Sequence, residues 1–311
     1  MSDPQDSSVR AKARRALLAA VTRASHLRLC VLVDPVITDP LQSFSTRDNA
    51  IVLPIRHGDL KAEHRPYLLE LGDFGRDEAI EESLRVAVSE VMAAESSASR
   101  GRTVCGWILT GNAPLKEFAS HLARCASLGV AGRIRLLRYW DPRVMDALEA
   151  LLTQAQKYSL LGPGTAWYWL KRNGNLQAFS VEQGGVELEP ATTEFWLERQ
   201  QIELLAEIGY VNTALNVLQG MGRDVACLSP HALAQRLLAG ARIWRLNSER
   251  ERVMYAVYSV LAGDRFDHAP EAGAAMLAAQ VRGDSVIDAL DAFDDAYWQS
   301  LNQTTSMTAG V

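Results

Sequence analysis

The chain has 311 residues, 48% of them hydrophobic and 22% charged, enough to bury a substantial core and long enough for two domains. Its net charge of −5 gives no bulk electrostatic case for binding nucleic acid or an anionic membrane. Cys30, Cys105, Cys125 and Cys227 show no metal-ligand spacing; Cys30 and Cys105 fall in apolar strand-like runs and Cys125 on the apolar face of a helix, the pattern of buried thiols in a reducing compartment.

Residues 1–26 read as a polar tail followed by a basic, alanine-rich helix over Val9 to Ala24, with Leu17, Leu18 and Val21 on one side. That apolar face is small, so packing on the following domain is expected rather than a membrane-surface role. The apolar part stops at Thr22-Arg23, and no small-residue cleavage site follows it, unlike a signal peptide. No stretch is long enough to span a bilayer. The expectation is a cytoplasmic protein without stable membrane insertion. Basic charge is mostly arginine, with Lys171 the last lysine, which with the many alanines hints at a high-GC bacterial source.

Leu27 to Val33 is a strong strand candidate ending at Asp34-Pro35, with shorter candidates at Ile51 to Ile55 and Tyr67 to Leu71. Asp77 to Ala94 has helical spacing, and Thr103 to Thr110 is another strand. Pro114 opens a helix with Leu115, Phe118, Leu122 and Cys125 on its apolar face. From Arg133 the spacing predicts a strand that stops at Asp141-Pro142. Val144, Met145, Leu148, Leu151, Leu152 and Ala155 then recur at helical spacing, and Gly162-Pro163-Gly164 closes the unit.

Asp141 suits an N-cap and Pro142 the first helical position. Arg138 lies on the apolar face of the expected strand, and Arg143 occupies a first helical turn whose dipole disfavours a cation. Two arginines in such places imply a local charge network. Asn173-Gly174 between the apolar runs Trp167–Lys171 and Leu176–Val181 is a strong hairpin signal, and the hairpin is expected to extend or cover a sheet edge.

Strands alternating with helices imply βαβ crossovers, hence an α/β domain over residues 27–181 with a mixed, largely parallel sheet and flanking helices. Residues 182–193 read as a linker and 302–311 as a disordered tail. An all-α lobe over residues 194–301 would hold helices at Glu194–Leu218, Pro230–Gly240, Glu249–Leu261, Glu271–Val281 and Val286–Leu301. Ser229 before Pro230, Ser248 with Glu251, and Ser285 with Asp288 mark helix starts.

Dinucleotide, P-loop, zinc-hydrolase, nucleophile-elbow and EF-hand patterns are missing from the sequence. No catalytic residue, cofactor or metal ligand is assigned. If ligands bind outside the carboxyl ends of parallel strands, then Asp34, Thr110 and the Arg138/Asp141/Arg143 group would gather there, with His57 or His64 joining them. Asp288, Asp291, Asp294 and Asp295 lie at helical spacing, as a metal cluster or, more simply, a solvated face. Trp167 and Trp169 suit core or edge packing. Trp196, Trp244, Tyr255, Tyr258, Tyr297 and Trp298 are many aromatics for one lobe; most suit a core, and a few exposed ones would suit a protein-binding groove.

Several runs resemble, in family order, the type VI secretion effector adaptor, or chaperone, family. They are LCVLVDP, GWILTGNAPLKEFASHLARC, LLRYWDPRVMDALEALL and LLGPGTAWYWL, with the arginine–aromatic–Asp-Pro-Arg run the most specific. The resemblance covers roughly Leu29 to Lys171. It implies a non-catalytic cytoplasmic protein that binds a cognate effector toxin, through the toxin's N-terminal region, and helps load it onto the VgrG spike. It also implies an architectural role for Arg138, Tyr139, Asp141, Pro142, Arg143, Gly162 and Pro163, with a partner-binding surface as the alternative. The competing reading is an α/β enzyme or anion-binding protein with its site at the sheet's C-terminal edge.

Overall fold

In the computed structural model, residues 4–24, 27–36, 38–46, 48–71, 78–92, 101–130, 132–180, 194–294 and 296–301 are described, and the chain divides into two units, Met1–Glu198 and Arg199–Val311. The expected linker at 182–193 and tail at 302–311 lie outside the described residues.

Six strands build the sheet of the first unit: β1 (Arg28–Val33), β2 (Ala50–Val52), β3 (Tyr67–Leu71), β4 (Val104–Thr110), β7 (Gly164–Leu170) and β8 (Leu176–Ser180). Their order is β2-β3-β1-β4-β7-β8, and every neighbouring pair is antiparallel. The expectation of a largely parallel sheet is therefore wrong. The physical reason lies in α2 (Glu78–Met92), which connects β3 to β4. Both strands run antiparallel to β1, so they are parallel to each other, as a crossover predicts, but β1 fills the slot between them. Element spacing reports the crossover and not the strand that occupies the gap.

Alternation along the strands sorts side chains onto two faces. Leu29, Val31 and Val33 of β1, Leu69 and Leu71 of β3, and Trp107 and Leu109 of β4 share one buried cluster with Ile80, Leu84 and Ala87 of α2. The N-terminal helix α1 (Pro4–Arg23) joins the same cluster through Ala13 and Leu17, and Lys12 Nζ donates to Asn175 Oδ1 at 2.7 Å. Its basic character is thus a solvent face on a packed helix. Each fully buried leucine such as Leu17 contributes about 1.5–3 kcal/mol relative to an exposed one.

On the opposite face lie α3 (Leu115–Cys125) and α5 (Gln154–Leu161), the latter against β7 and β8. At β4 the pairing with β1 slips, Leu32 facing Gly106 and Val33 facing Val104, so Cys105 is a bulge. Gly106 has φ +137°, and a Cβ there would stand 2.6 Å from Trp167 Nε1. The indole uses the space that a side chain would occupy.

Two local expectations also change. Arg133–Leu136 is not a strand of the main sheet. It is β6 of a separate hairpin with β5 (Ser127–Val130), and Ile134 is 67% exposed. The long helix after Pro142 is two helices, α4 (Pro142–Leu151) and α5. Leu152 turns to an extended ψ, and Thr153 with Gln156 forms a capping box that starts α5. The Asn173-Gly174 turn joins β7 to β8 with Gly174 at φ +74°, and β8 forms the sheet's edge.

The described part of the second unit is helical: α6 (Arg199–Gly220), α7 (Pro230–Trp244), α8 (Glu249–Leu261), α9 (Pro270–Arg282) and α10 (Val286–Leu290), followed by helical residues 296–301. Ser229, Ser248 and Ser285 each accept a backbone N–H at a helix start. The last expected helix is interrupted because Asp294 accepts from the Tyr297 N–H at 2.9 Å and restarts the chain. Tyr255, Tyr258, Phe266 and Trp298 form an aromatic core whose buried Asp267 accepts from Trp244 Nε1 and Tyr255 Oη, both at 2.8 Å.

Candidate functional site

Because neighbouring strands are antiparallel, the C-terminal end of β1, the start of β4 and the end of β7 meet at one end of the sheet. Asp34 leaves β1 there, its N–H donating to the Thr103 carbonyl at 2.8 Å, and it is only 3% exposed. Its carboxylate accepts from Arg138 Nη2 and Trp140 Nε1, both at 2.7 Å, and from the Val36 N–H at 3.2 Å. Arg138 is therefore not on a strand face. It follows β6, where a turn swings it across to β1.

Asp141 caps α4. Its Oδ1 accepts from the Arg143 N–H at 2.9 Å and from Arg143 Nε at 3.0 Å, and its Oδ2 from Arg143 Nη2 at 2.7 Å. The cation in the first helical turn is thus neutralised by the cap beside it. Burial alone would push the Asp141 carboxyl up, but the bonds and charge of Arg143 outweigh it and hold the group below its usual range. Between these pairs sit two aromatic rings. Tyr139 is fully buried, donates from Oη to the Leu122 carbonyl at 2.8 Å, and meets Trp140 and Trp167 edge-on at 5.4 and 5.8 Å.

Gly162 ends α5 at φ +53°, and a Cβ there would lie 2.6 Å from His121 Cδ2. His121 Nε2 meets the Leu160 carbonyl at 3.1 Å and Cys125 Sγ at 3.6 Å. Burial lowers the His121 pKa and pushes the Cys125 thiol up to about 12. An uncharged imidazole beside a protonated thiol is not an activated nucleophile. Cys30 and Cys105 are likewise pushed up by burial. Pro163 contributes its carbonyl, which accepts from Thr110 Oγ1 at 3.4 Å.

Not every residue expected at the strand ends arrives there. Thr110 pairs with Arg28 at the opposite end of the sheet, since an antiparallel neighbour reverses its carboxyl end. The His57 ring instead meets the Ile134 carbonyl at 3.3 Å. In the second unit, Arg250 pairs with Asp288 and, at 3.0 Å, with Asp291. Asp295 lies outside the described residues. Among the described residues no group of three or more His, Cys, Asp or Glu is placed to hold a metal ion.

Four members of the charged end were not foreseen: Glu90, Arg102, Asp146 and Arg172. Glu90 accepts from the Thr103 N–H at 2.7 Å, and burial raises its pKa. Asp146 accepts from Trp169 Nε1 at 2.6 Å and is also raised by burial. Arg102 is 8% exposed, and burial, followed by the charge of Arg143, lowers its pKa. Burial and the charges of Arg102 and Arg143 bring Arg172 down to about 10. The available signal was Arg102 directly before an apolar strand, where a charged residue of modest exposure needs a counter-charge.

A family model described as a domain of unknown function (DUF4123) matches residues 33–158. That span runs from the last residue of β1 into α5 and contains Asp34, Glu90, Arg102 and the Arg138–Arg143 run. No curated protein and no solved structure matches the chain.

Proposed function

We propose that the protein is an adaptor of the type VI secretion kind, binding a cognate effector toxin in the cytoplasm and helping to load it onto the VgrG spike. The observation that carries this reading is an uncharged stripe on α9. Ala274, Leu277, Ala278 and Val281 recur at helical spacing and are all exposed, Leu277 at 55% and Val281 at 80%. Ile243 of α7, 57% exposed, is tied to the same helix by Gln280, whose Nε2 donates to the Ile243 carbonyl at 3.1 Å. Contiguous apolar surface of this sort marks contact sites for other proteins. The stripe itself is aliphatic; of the aromatics that the sequence assigned mostly to a core, Tyr255, Tyr258 and Trp298 are buried and Trp196 is 42% exposed.

Two further points support the reading. The Arg138–Arg143 run carries the adaptor resemblance, and its one carboxylate, Asp141, is spent on intramolecular bonds to Arg143. No helix among the described residues is long and apolar enough to cross a membrane. The test is purification of the tagged chain from its native cell, beside the Leu277→Asp/Val281→Asp variant. Recovery of a toxin or a spike protein with the wild type, and its loss in a variant with unchanged circular dichroism, is expected. If neither partner accompanies the wild type, the adaptor reading fails.

A further inference from the structure

The hairpin of β5 and β6 leaves a strand edge open. Among the described residues β6 pairs with β5 alone, Arg133 facing Val130, Ile134 facing Gly129, Arg135 facing Leu128 and Leu136 facing Ser127. Successive residues of an antiparallel strand turn their backbone groups to opposite edges. The Leu137 N–H donates to the Ala126 carbonyl on the β5 side at 2.8 Å, so Ile134 and Leu136 turn their groups to the outer edge. One side chain meets that edge. His57 Nε2 stands 3.3 Å from the Ile134 carbonyl, and since a carbonyl only accepts, Nε2 is the donor. Among the described residues nothing else bonds to the outward groups of Ile134 and Leu136. Such an edge is a template for another extended chain, and proteins usually cover it.

The side chains of β6 decide which chain fits. Arg133, Ile134 and Arg135 are all exposed, Ile134 at 67%. Neither arginine faces a carboxylate across the ribbon, and no hydrogen bond or ion pair from a described residue reaches either guanidinium. The chain has no Asp or Glu between Glu117 and Asp141. The Asp59 carboxylate lies beside His57, 3.6 Å from its Nδ1. Alternation puts Arg133 and Arg135 on one face of the ribbon, about 7 Å apart, and Ile134 on the other. Opposite Ile134 stands Gly129, where a Cβ would meet no described atom within 4 Å.

We propose that β6 is a docking edge for an acidic, extended segment of a partner protein, which pairs along Ile134 to Leu136 and displaces His57. An added strand sets its side chains beside those of β6 on both faces. Acidic residues two apart then lie next to Arg133 and Arg135, and an apolar residue between them lies next to Ile134. A second copy of this chain fits poorly. Paired with itself about Ile134, β6 sets Arg133 against Arg135 in both directions, and like charges directly opposite are destabilising. A nucleic acid cannot supply the alternating N–H and C=O groups of a strand, and the chain's net charge of −5 opposes it. The site does not depend on the adaptor role.

The experiment follows the Ile134 and Leu136 amide resonances and the His57 ring of the intact, isotope-labelled chain by NMR. The additions are the capped peptides Thr-Glu-Val-Glu-Thr, Thr-Gln-Val-Gln-Thr and Thr-Lys-Val-Lys-Thr. The Glu peptide should shift these signals saturably, in about the millimolar range, and bind about fivefold or more tighter than the Gln peptide. The exposed double variant Arg133→Glu/Arg135→Glu should reverse the order and prefer the Lys peptide. His57→Ala should tighten binding of the Glu peptide about threefold or more, because the Ile134 carbonyl is then free to accept from it. No saturable shift, equal binding of the three peptides, or an unchanged order in the double variant overturns the docking edge. Unchanged or weaker binding in His57→Ala overturns the displacement of His57. Shifts of the same amides on raising the protein concentration alone assign the edge to a second copy and overturn the acidic partner.

Discussion

Replacing Asp34 by alanine removes the acceptor on which the Arg138–Arg143 run converges. Trp140 is fully buried, and its Nε1–H, 2.7 Å from Asp34 Oδ2, would lose its acceptor. An orphaned buried donor costs about 1–3 kcal/mol. The Arg138 side chain is 40% exposed, so water recovers most of its interaction, leaving a loss of about 0–1 kcal/mol. The bond from the Val36 N–H, at 3.2 Å, adds about 0.5 kcal/mol. The expected total is about 3 kcal/mol, or roughly 6–12 °C in the melting temperature of a unit of this size. Urea unfolding followed by tryptophan fluorescence measures it. A double-mutant cycle with Trp140→Phe should return a coupling of about 1 kcal/mol or more, larger than the cycle with Arg138→Gln. A loss below about 1 kcal/mol, or equal coupling to both partners, would refute the idea that the buried indole, not the ion pair, anchors this acceptor.

Gly162→Ala places a Cβ against the His121 ring at a backbone conformation with φ +53°, and should cost about 2–4 kcal/mol in chemical denaturation. Gly58→Ala, with no described atom within 4 Å, should stay within about 0.5 kcal/mol of wild type. Asp141→Asn should cost about 2 kcal/mol near neutral pH. Because the folded-state pKa of Asp141 is depressed, that contribution is present above the ordinary aspartate value of 3.8 and disappears as pH falls through the lower folded value. Denaturation curves between neutral pH and acid should therefore converge for the two proteins. Thiol titration with a chromogenic disulfide should find Cys227 reactive in the native chain, with Cys30, Cys105 and Cys125 released only on unfolding.

Much of the local structure was legible along the chain. β3 and α8 fall where spacing placed them, and the serine caps and the Asn173-Gly174 turn act as their chemistry dictates. Such features depend on contacts within a few residues, and local sequence carries that information. The fate of Arg138 was not legible, because a strand ending at Leu136 and a turn through Tyr139 bring it to an aspartate far away in sequence. Nor could the acid run after Ser285 be assigned, since Asp288 and Asp291 are matched by Arg250 from another helix.

By itself, then, the sequence determined the elements, their caps, the apolar faces and the presence of a charge network around Asp141. Tertiary structure alone decided the strand directions, because a helical crossover leaves a gap that any strand of suitable width can fill, and here β1 fills it antiparallel. The same decision set which charges meet. Antiparallel neighbours bring the end of β1 to the start of β4, so Asp34 and Arg102 share one end of the sheet while Thr110 goes to the other.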